Sequence, residues 1–200
     1  MKNLIVKGLL FATLLLSFSC TFEKTGKNWP QYRNDEGRTG YTSATLPDNL
    51  TPRWMCHFTP PDLSWTGIHT RMTFDYAYQP VISGNRVFFG SSNDCRIYAL
   101  NSKTGKIAWS FYTDGPVRFA PVIYKNKLYA ASDDGYLYCI STGNGQLIWK
   151  KYGSSKQDMI LGNNRMISRW PARGGPVIKD GILYFGAGIW PSEKVYIHAV

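Results

Sequence analysis

Two hundred residues, 44% of them hydrophobic and 15% aromatic, can bury a sizeable core and exclude a disordered chain. The 13 Tyr, 10 Phe and 7 Trp, set among 19 Gly and 11 Pro, favour short strands with frequent turns over long helices, so the bulk class is all-β. The net charge of +10, or +8 without Lys2 and Lys7, suits either a solvated surface or contact with an anionic lipid or glycan.

The chain opens with "MKNLIVKGLLFATLLLSFSC": two lysines, an apolar run from Gly8 to Leu16, small residues around Phe18, then a cysteine. This pattern reads as an export signal over residues 1–19. The apolar run is too short to cross a bilayer of about 30 Å, which needs roughly 20 residues. Cys20 resembles the modified cysteine of a bacterial lipobox, although Ser17 stands where Leu is usual and Leu16 lies one place early. The resemblance implies lipidation of Cys20 and a membrane anchor at the periplasmic or outer cell surface; cleavage nearby or a structural cysteine are the alternatives. Export also takes the chain away from nucleic acid, despite its charge.

Residues 20–45 are read as a tether and lead-in to a domain over residues 46–200. "LTPRWMCHF", Leu50 to Phe58, has the look of a Trp-bearing strand, within a partial repeat near residues 46–78. Between it and the first full repeat lies an irregular stretch, Pro60 to Tyr78, with Trp65, His69, Arg71, Phe74, Asp75 and Tyr76.

Self-similarity then dominates. "QPVISGNRVFFGSSNDCRIYALNSKTGKIAWSFY" from Gln79 aligns with "APVIYKNKLYAASDDGYLYCISTGNGQLIWKKY" from Ala120. Val81 matches Val122 at a spacing of 41 residues, and Trp109 matches Trp149 at 40. The two copies occupy residues 79–119 and 120–160; a third, partial, spans 175–200, beginning "GPVIKDGILYFG". Each copy divides into "PVI", a two-residue turn, "RVFFGS", a polar turn, "RIYALN", a Thr-Gly or Asn-Gly turn, and a last strand holding Trp. Four strands in about 40 residues make one β-propeller blade, which must stack on neighbours to bury its faces.

"ALNSKTGKIAW" therefore reads as a joint. Ala99 is small where strands pass closely, Thr104 and Asn101 can bond local backbone, and Gly105 can take a positive φ. Trp109 supplies a flat apolar group for the gap between sheets. Gly145 and Trp149 are the corresponding ends of the second copy.

That stretch resembles the tryptophan-docking motif A-x-D-x-x-T-G-x-x-x-W of the pyrroloquinoline-quinone (PQQ)-like β-propeller repeat family. "NWPQYRNDEGRTGYT" from Asn28 resembles the lead-in of such exported proteins. The resemblance, over residues 28–200, implies an incomplete propeller of four-stranded antiparallel blades, and it speaks to fold more than to function. The family holds quinoprotein alcohol and sugar dehydrogenases, which bind the quinone and calcium, and an outer-membrane assembly lipoprotein that binds neither. Family rings have seven or eight blades, so the chain is expected to be an N-terminal fragment, or else an open stack completed by oligomerisation.

Chemistry is thin in these residues. The adjacent cysteines that cover the quinone in the family's alcohol dehydrogenases do not occur, nor do C-x-x-C, C-x-x-C-H, G-x-S-x-G or phosphate-loop motifs. Cys95 and Cys139 read as small buried groups, the histidines 57, 69 and 198 have no metal spacing, and Asp133 and Asp134 read as turn residues. The insertion from Lys150 to Gly175 carries six basic residues against one acid. In it Arg165, Arg169 and Arg173 beside Trp170 could hold an anion, or could serve the strand ends instead. No catalytic residue or metal ligand is assigned. The expectation is a non-catalytic binding or assembly scaffold with protein or anionic-glycan partners and no cofactor; PQQ and calcium belong to the alternative, the N-terminal part of a quinoprotein dehydrogenase.

Overall fold

A computed structural model of the chain describes residues 28–65, 75–162 and 164–200. The export signal, Cys20, His69, Arg71 and Phe74 lie outside the described residues. The described chain is all-β, with a single short 3-10 turn at Pro191–Glu193.

The first full repeat folds as an antiparallel sheet of β1 (Val81–Ser83), β2 (Arg86–Ser91), β3 (Arg96–Asn101) and β4 (Ile107–Tyr112), in that spatial order. The second repeats it with β5 (Val122–Tyr124), β6 (Lys127–Ala131), β7 (Tyr136–Ser141) and β8 (Leu147–Tyr152). Even the irregularity recurs: the ladder shifts register between Ala99 and Leu100 in one sheet and between Cys139 and Ile140 in the other, each beside the residue that faces the strand's tryptophan. The insertion forms a hairpin of β9 (Met159–Gly162) and β10 (Arg165–Ser168). A third sheet follows, β11 (Val177–Lys179), β12 (Ile182–Ala187) and β13 (Tyr196–Ala199).

Alternation along the central strands sends side chains to both faces, and both are covered. One face of the first sheet, with Val81, Phe88, Ile97 and Ala99, packs on Val117 of the β4–β5 connection and on Ile123, Leu128, Ala130, Tyr138 and Ile140 of the second sheet. The opposite face of the second sheet, with Val122, Tyr129, Leu137 and Cys139, packs on Ala172 of the approach to the third repeat and on Leu183 and Phe185 within it. The first sheet's other face carries Phe89, Tyr98 and Leu100, and is closed by Trp54, Phe58 and Tyr78. Leu50 to Phe58 thus covers a sheet without being a strand: no ladder forms there, and side chains do the packing.

The innermost strands are short, and a segment ahead of the repeats runs along them. Trp29 exchanges both backbone hydrogen bonds with Ile82 of β1, at 2.8 Å each; Ile123 N–H of β5 donates to the Pro30 carbonyl at 2.7 Å. Ile178 N–H of β11 donates to Gln31 Oε1 at 3.3 Å. Three residues in sequence therefore bond the edges of three sheets in turn, Trp29 through two bonds and Pro30 and Gln31 through one each, and satisfy edge groups that would otherwise be left open.

Candidate functional site

Two kinds of turn gather at opposite ends of the sheets. At one end lie the β1–β2 and β3–β4 turns, stitched by Ser102 N–H to the Asn85 carbonyl and, in the second sheet, Thr142 N–H to the Asn126 carbonyl. The blade-docking contacts are there. Trp109 Nε1 donates to the Thr142 carbonyl of the next sheet at 3.0 Å, and Trp54 Nε1 donates to Ser102 at 2.9 Å. Gly145 has φ +74° and Gly105 φ +70°, and a Cβ added at either would stand 2.7 Å from the indole lying on it. Each tryptophan therefore lies on the turn glycine of the following sheet. Asn101 Oδ1 accepts from the Lys103 and Thr104 N–H groups, and Thr104 Oγ1 from Lys106 N–H, which fix the turn. Ala99 is fully buried between the sheets, and Trp149 packs against Tyr129 with ring centres 5.8 Å apart.

At the other end the β2–β3 and β6–β7 turns meet the connections that lead into β5 and β11. Here Asp133 and Asp134, alike in sequence, part company. Asp134 accepts from Tyr138 Oη at 2.6 Å, just as Asp94 accepts from Tyr98 one repeat earlier. Burial pushes the Asp134 carboxyl above its ordinary range, and burial together with Asp94 pushes the Tyr98 hydroxyl up to about 12. A raised folded-state pKa means the fold favours protonated Asp134. Its contribution is full below the unfolded value near 3.8 and is lost as pH rises through the raised one. Asp134→Asn, uncharged throughout, should therefore gain on the wild type as pH rises from acid to neutral. Urea unfolding of both proteins across that range tests this; a stability gap that does not change with pH overturns it.

Asp133 sits at the centre of a buried ion network. Its Oδ2 accepts from Arg118 Nε at 2.7 Å and Arg173 Nη2 at 2.8 Å, and its Oδ1 from Arg173 Nε at 2.8 Å. Arg118 Nη1 reaches Asp75 Oδ2 at 2.9 Å and also donates to the Asp62 carbonyl. Ser64 N–H donates to the same Asp75 oxygen at 2.7 Å. Two acids and two bases, Asp75, Arg118 and Arg173 from the approaches to three consecutive repeats and Asp133 from the β6–β7 turn, are thus paired out of solvent.

The insertion residues separate. Arg165 pairs with Asp62 at 2.9 Å and bonds the Asn93 carbonyl; Arg169 reaches Glu193 at 3.4 Å. Trp170 is buried, its indole N–H on the Glu193 carbonyl. Arg173, besides holding Asp133, lines a cavity beside the hairpin with Trp65 and Trp190. Of the histidines, His57 is exposed, and His198 stacks on Phe185 with Nε2–H donating to Gly153 at 2.9 Å. Cys139 is buried, Cys56 is exposed and Cys95 is half-buried. Sequence reasoning missed Arg118, although Arg118 and Arg173 each stand in R-x-x-P-V-I at the opening of a repeat.

The family described as outer membrane protein assembly factor BamB matches residues 53–187. The chain belongs to that PQQ-like propeller family. Among curated BamB-family relatives, the assembly factor BamB of Legionella pneumophila (strain Paris) is 32% identical over 44% of this chain and 25% of its own length. Proteins named for other activities also match. The quinone alcohol dehydrogenase subunit of Gluconobacter oxydans (strain 621H) is 27% identical over 52% of this chain and 15% of its own. Tetrathionate hydrolase of Acidithiobacillus ferrooxidans is 33% identical over 42% and 16%. The chain thus spans a quarter or less of these three relatives. In structure it resembles the quinohemoprotein alcohol dehydrogenase of Comamonas testosteroni, with TM-score 0.60 at 18% identity over 86% of this chain and 25% of that one. That likeness shows the fold alone, that of a β-propeller.

The family's quinone and calcium can be tested against the residues present. Calcium needs six to eight oxygens with carboxylates free to ligate. At the Asp133 end the carboxylates of Asp62, Asp75 and Asp133 are each held by arginine. Among the described residues no cluster of three or more His, Cys, Asp or Glu could hold a metal ion. The donor set does not fit calcium. No helix among the described residues is long and apolar enough to cross a membrane.

Proposed function

We propose that the chain is part of an exported, lipid-anchored propeller that serves as a non-catalytic binding or assembly scaffold for protein partners. The observation that carries this reading is the Asp75–Arg118–Asp133–Arg173 network: acids that could ligate a metal or take a proton are instead spent on joining repeats. Membership of a family described as an outer-membrane assembly factor supports it. Protein partners are favoured over anionic glycans because Arg165, Arg169 and Arg173 each have an acid partner already. The docking residues Ala99, Thr104, Gly105, Trp109, Gly145 and Trp149 belong to the frame that presents the turns at the opposite end.

The test is absorbance titration with PQQ and calcium. No tight uptake is expected, and stoichiometric, calcium-dependent binding would replace this reading by the dehydrogenase one. The anchor has its own test. Radioactive palmitate should label the protein expressed in a Gram-negative host and leave Cys20→Ser unlabelled; equal labelling of both removes the anchor.

A further inference from the structure

The cavity beside the β9–β10 hairpin has a volume of about 340 Å³. That is the small end of ligand pockets, which run about 300–1,000 Å³, and suits one ring or branched side chain. Its apolar lining comes from two sources. The indoles of Trp65 and Trp190 meet edge to face, ring centres 5.5 Å apart. Ile160 and Ile167 stand opposite each other across the hairpin ladder and also line it.

Its polar lining is Ser64 and Arg173, and both are built in. Ser64 is 5% exposed, yet its Oγ has no hydrogen-bond partner among the described residues. Its backbone is fixed by the N–H bond to Asp75, so the hydroxyl is a placed group that lacks what buried hydroxyls ordinarily have. Arg173 commits Nε and Nη2 to Asp133, which leaves Nη1 as the remaining end of its fork.

Charge selects the ligand. Asp75, Asp133, Arg118 and Arg173 already balance, so a carboxylate or phosphate would add an uncompensated charge beside a buried, neutral set. A neutral oxygen acceptor adds none. Extent then selects its source. Leu161 and Trp65 both line the cavity and are themselves exposed, so apolar surface runs from it out to solvent, past what one small molecule would cover.

We propose that this cavity is a docking pocket for one apolar side chain of an extended protein segment, whose adjacent backbone carbonyl accepts from Ser64 Oγ and Arg173 Nη1. The proposal rests on the scaffold reading and adds the chemistry of the partner: apolar and uncharged at the anchor position. An anchor buried among aromatics with a satisfied acceptor is the arrangement that concentrates binding energy at protein interfaces.

The probe is N-acetyl-L-phenylalaninamide, a neutral mimic of one residue in a chain, against N-acetyl-L-phenylalanine, its carboxylate counterpart. The protein is labelled with 5-fluorotryptophan, and the Trp65 and Trp190 fluorine signals are assigned from Trp65→Phe and Trp190→Phe. The amide should shift both signals saturably and bind more tightly than the acid. Ser64→Ala should weaken it roughly tenfold, the worth of one hydrogen bond. Leu161→Lys, on an exposed rim position that folding does not depend on, should weaken a longer capped peptide, N-acetyl-Leu-Phe-Leu-amide, more than the single residue. The proposal is overturned if neither signal shifts, if the acid binds as well as the amide, or if both variants bind unchanged. These failures would leave the scaffold reading in place, because only quinone uptake decides that.

Discussion

Asp133→Ala should cost about 3–5 kcal/mol of folding free energy, a large part of the roughly 5–15 kcal/mol that a domain possesses. Asp133 is 1% exposed and is the shared partner of Arg118 and Arg173. Removing it leaves two guanidiniums beside a single carboxylate, Asp75, all of them largely buried. Asp133→Asn should cost nearly as much, because its amide nitrogen would face an arginine donor. The discriminating protein is Asp133→Leu with Arg173→Met, which removes one acid and one base together and leaves the Arg118–Asp75 pair balanced. It should be more stable than Asp133→Ala despite carrying one more substitution. Urea unfolding reads both, as midpoint shifts at constant slope. A loss below about 1 kcal/mol for Asp133→Ala would show the network to be hydrated and weak.

What the sequence disclosed follows from the range of each interaction. Blade strands, their two-residue turns and the Trp-to-Gly spacing recur every 40 or 41 residues, so each is visible as a local pattern repeated. The Asp94–Tyr98 and Asp134–Tyr138 bonds span only four residues and recur, yet both aspartates of the second copy read alike as turn residues. Distance hides the role of Asp133. Its partners lie 15 and 40 residues away, and nothing local separates it from Asp134 beside it. The matching R-x-x-P-V-I openings at Arg118 and Arg173 were the available signal, since a charged residue at the same point of two buried repeats needs a partner.

The insertion was harder for another reason. Its exposed Met159, Leu161 and Met166 give a strand-like alternation whose outward face is apolar, the reverse of what marks a solvated hairpin. Its six basic residues suggested an anion site; the acids that neutralise three of them, Asp62, Asp133 and Glu193, come from elsewhere in the chain. The candidate site moved accordingly, from a set of arginines to the cavity that one of them shares with Ser64 and two tryptophans. Likewise the run from Trp29 to Gln31 gives no sequence sign that it bonds three sheets in turn, because those bonds use mainly backbone groups.

Gly145→Ala is expected to destabilise the stack by about 2–5 kcal/mol, through two causes that can be separated. The first is backbone: φ is +74° at Gly145, a conformation costing an L-residue about 1–2 kcal/mol. The second is contact, since the new methyl would stand 2.7 Å from the Trp109 indole and force the dock apart, with overpacking of that kind worth about 1–3 kcal/mol. Gly143 offers a control two residues away, where φ is not positive and a Cβ would meet only Ser141 Oγ at 3.6 Å. Gly143→Ala should therefore be close to neutral. Trp109→Ala removes the indole and its bond to the Thr142 carbonyl, and in that background the contact cause vanishes. There Gly145→Ala should cost only the backbone share, so the two substitutions together should lose less than the sum of each alone. Strict additivity in thermal or urea unfolding would mean that the tryptophan does not bear on the glycine, and that stacking of the two sheets relies on the buried aliphatic faces instead.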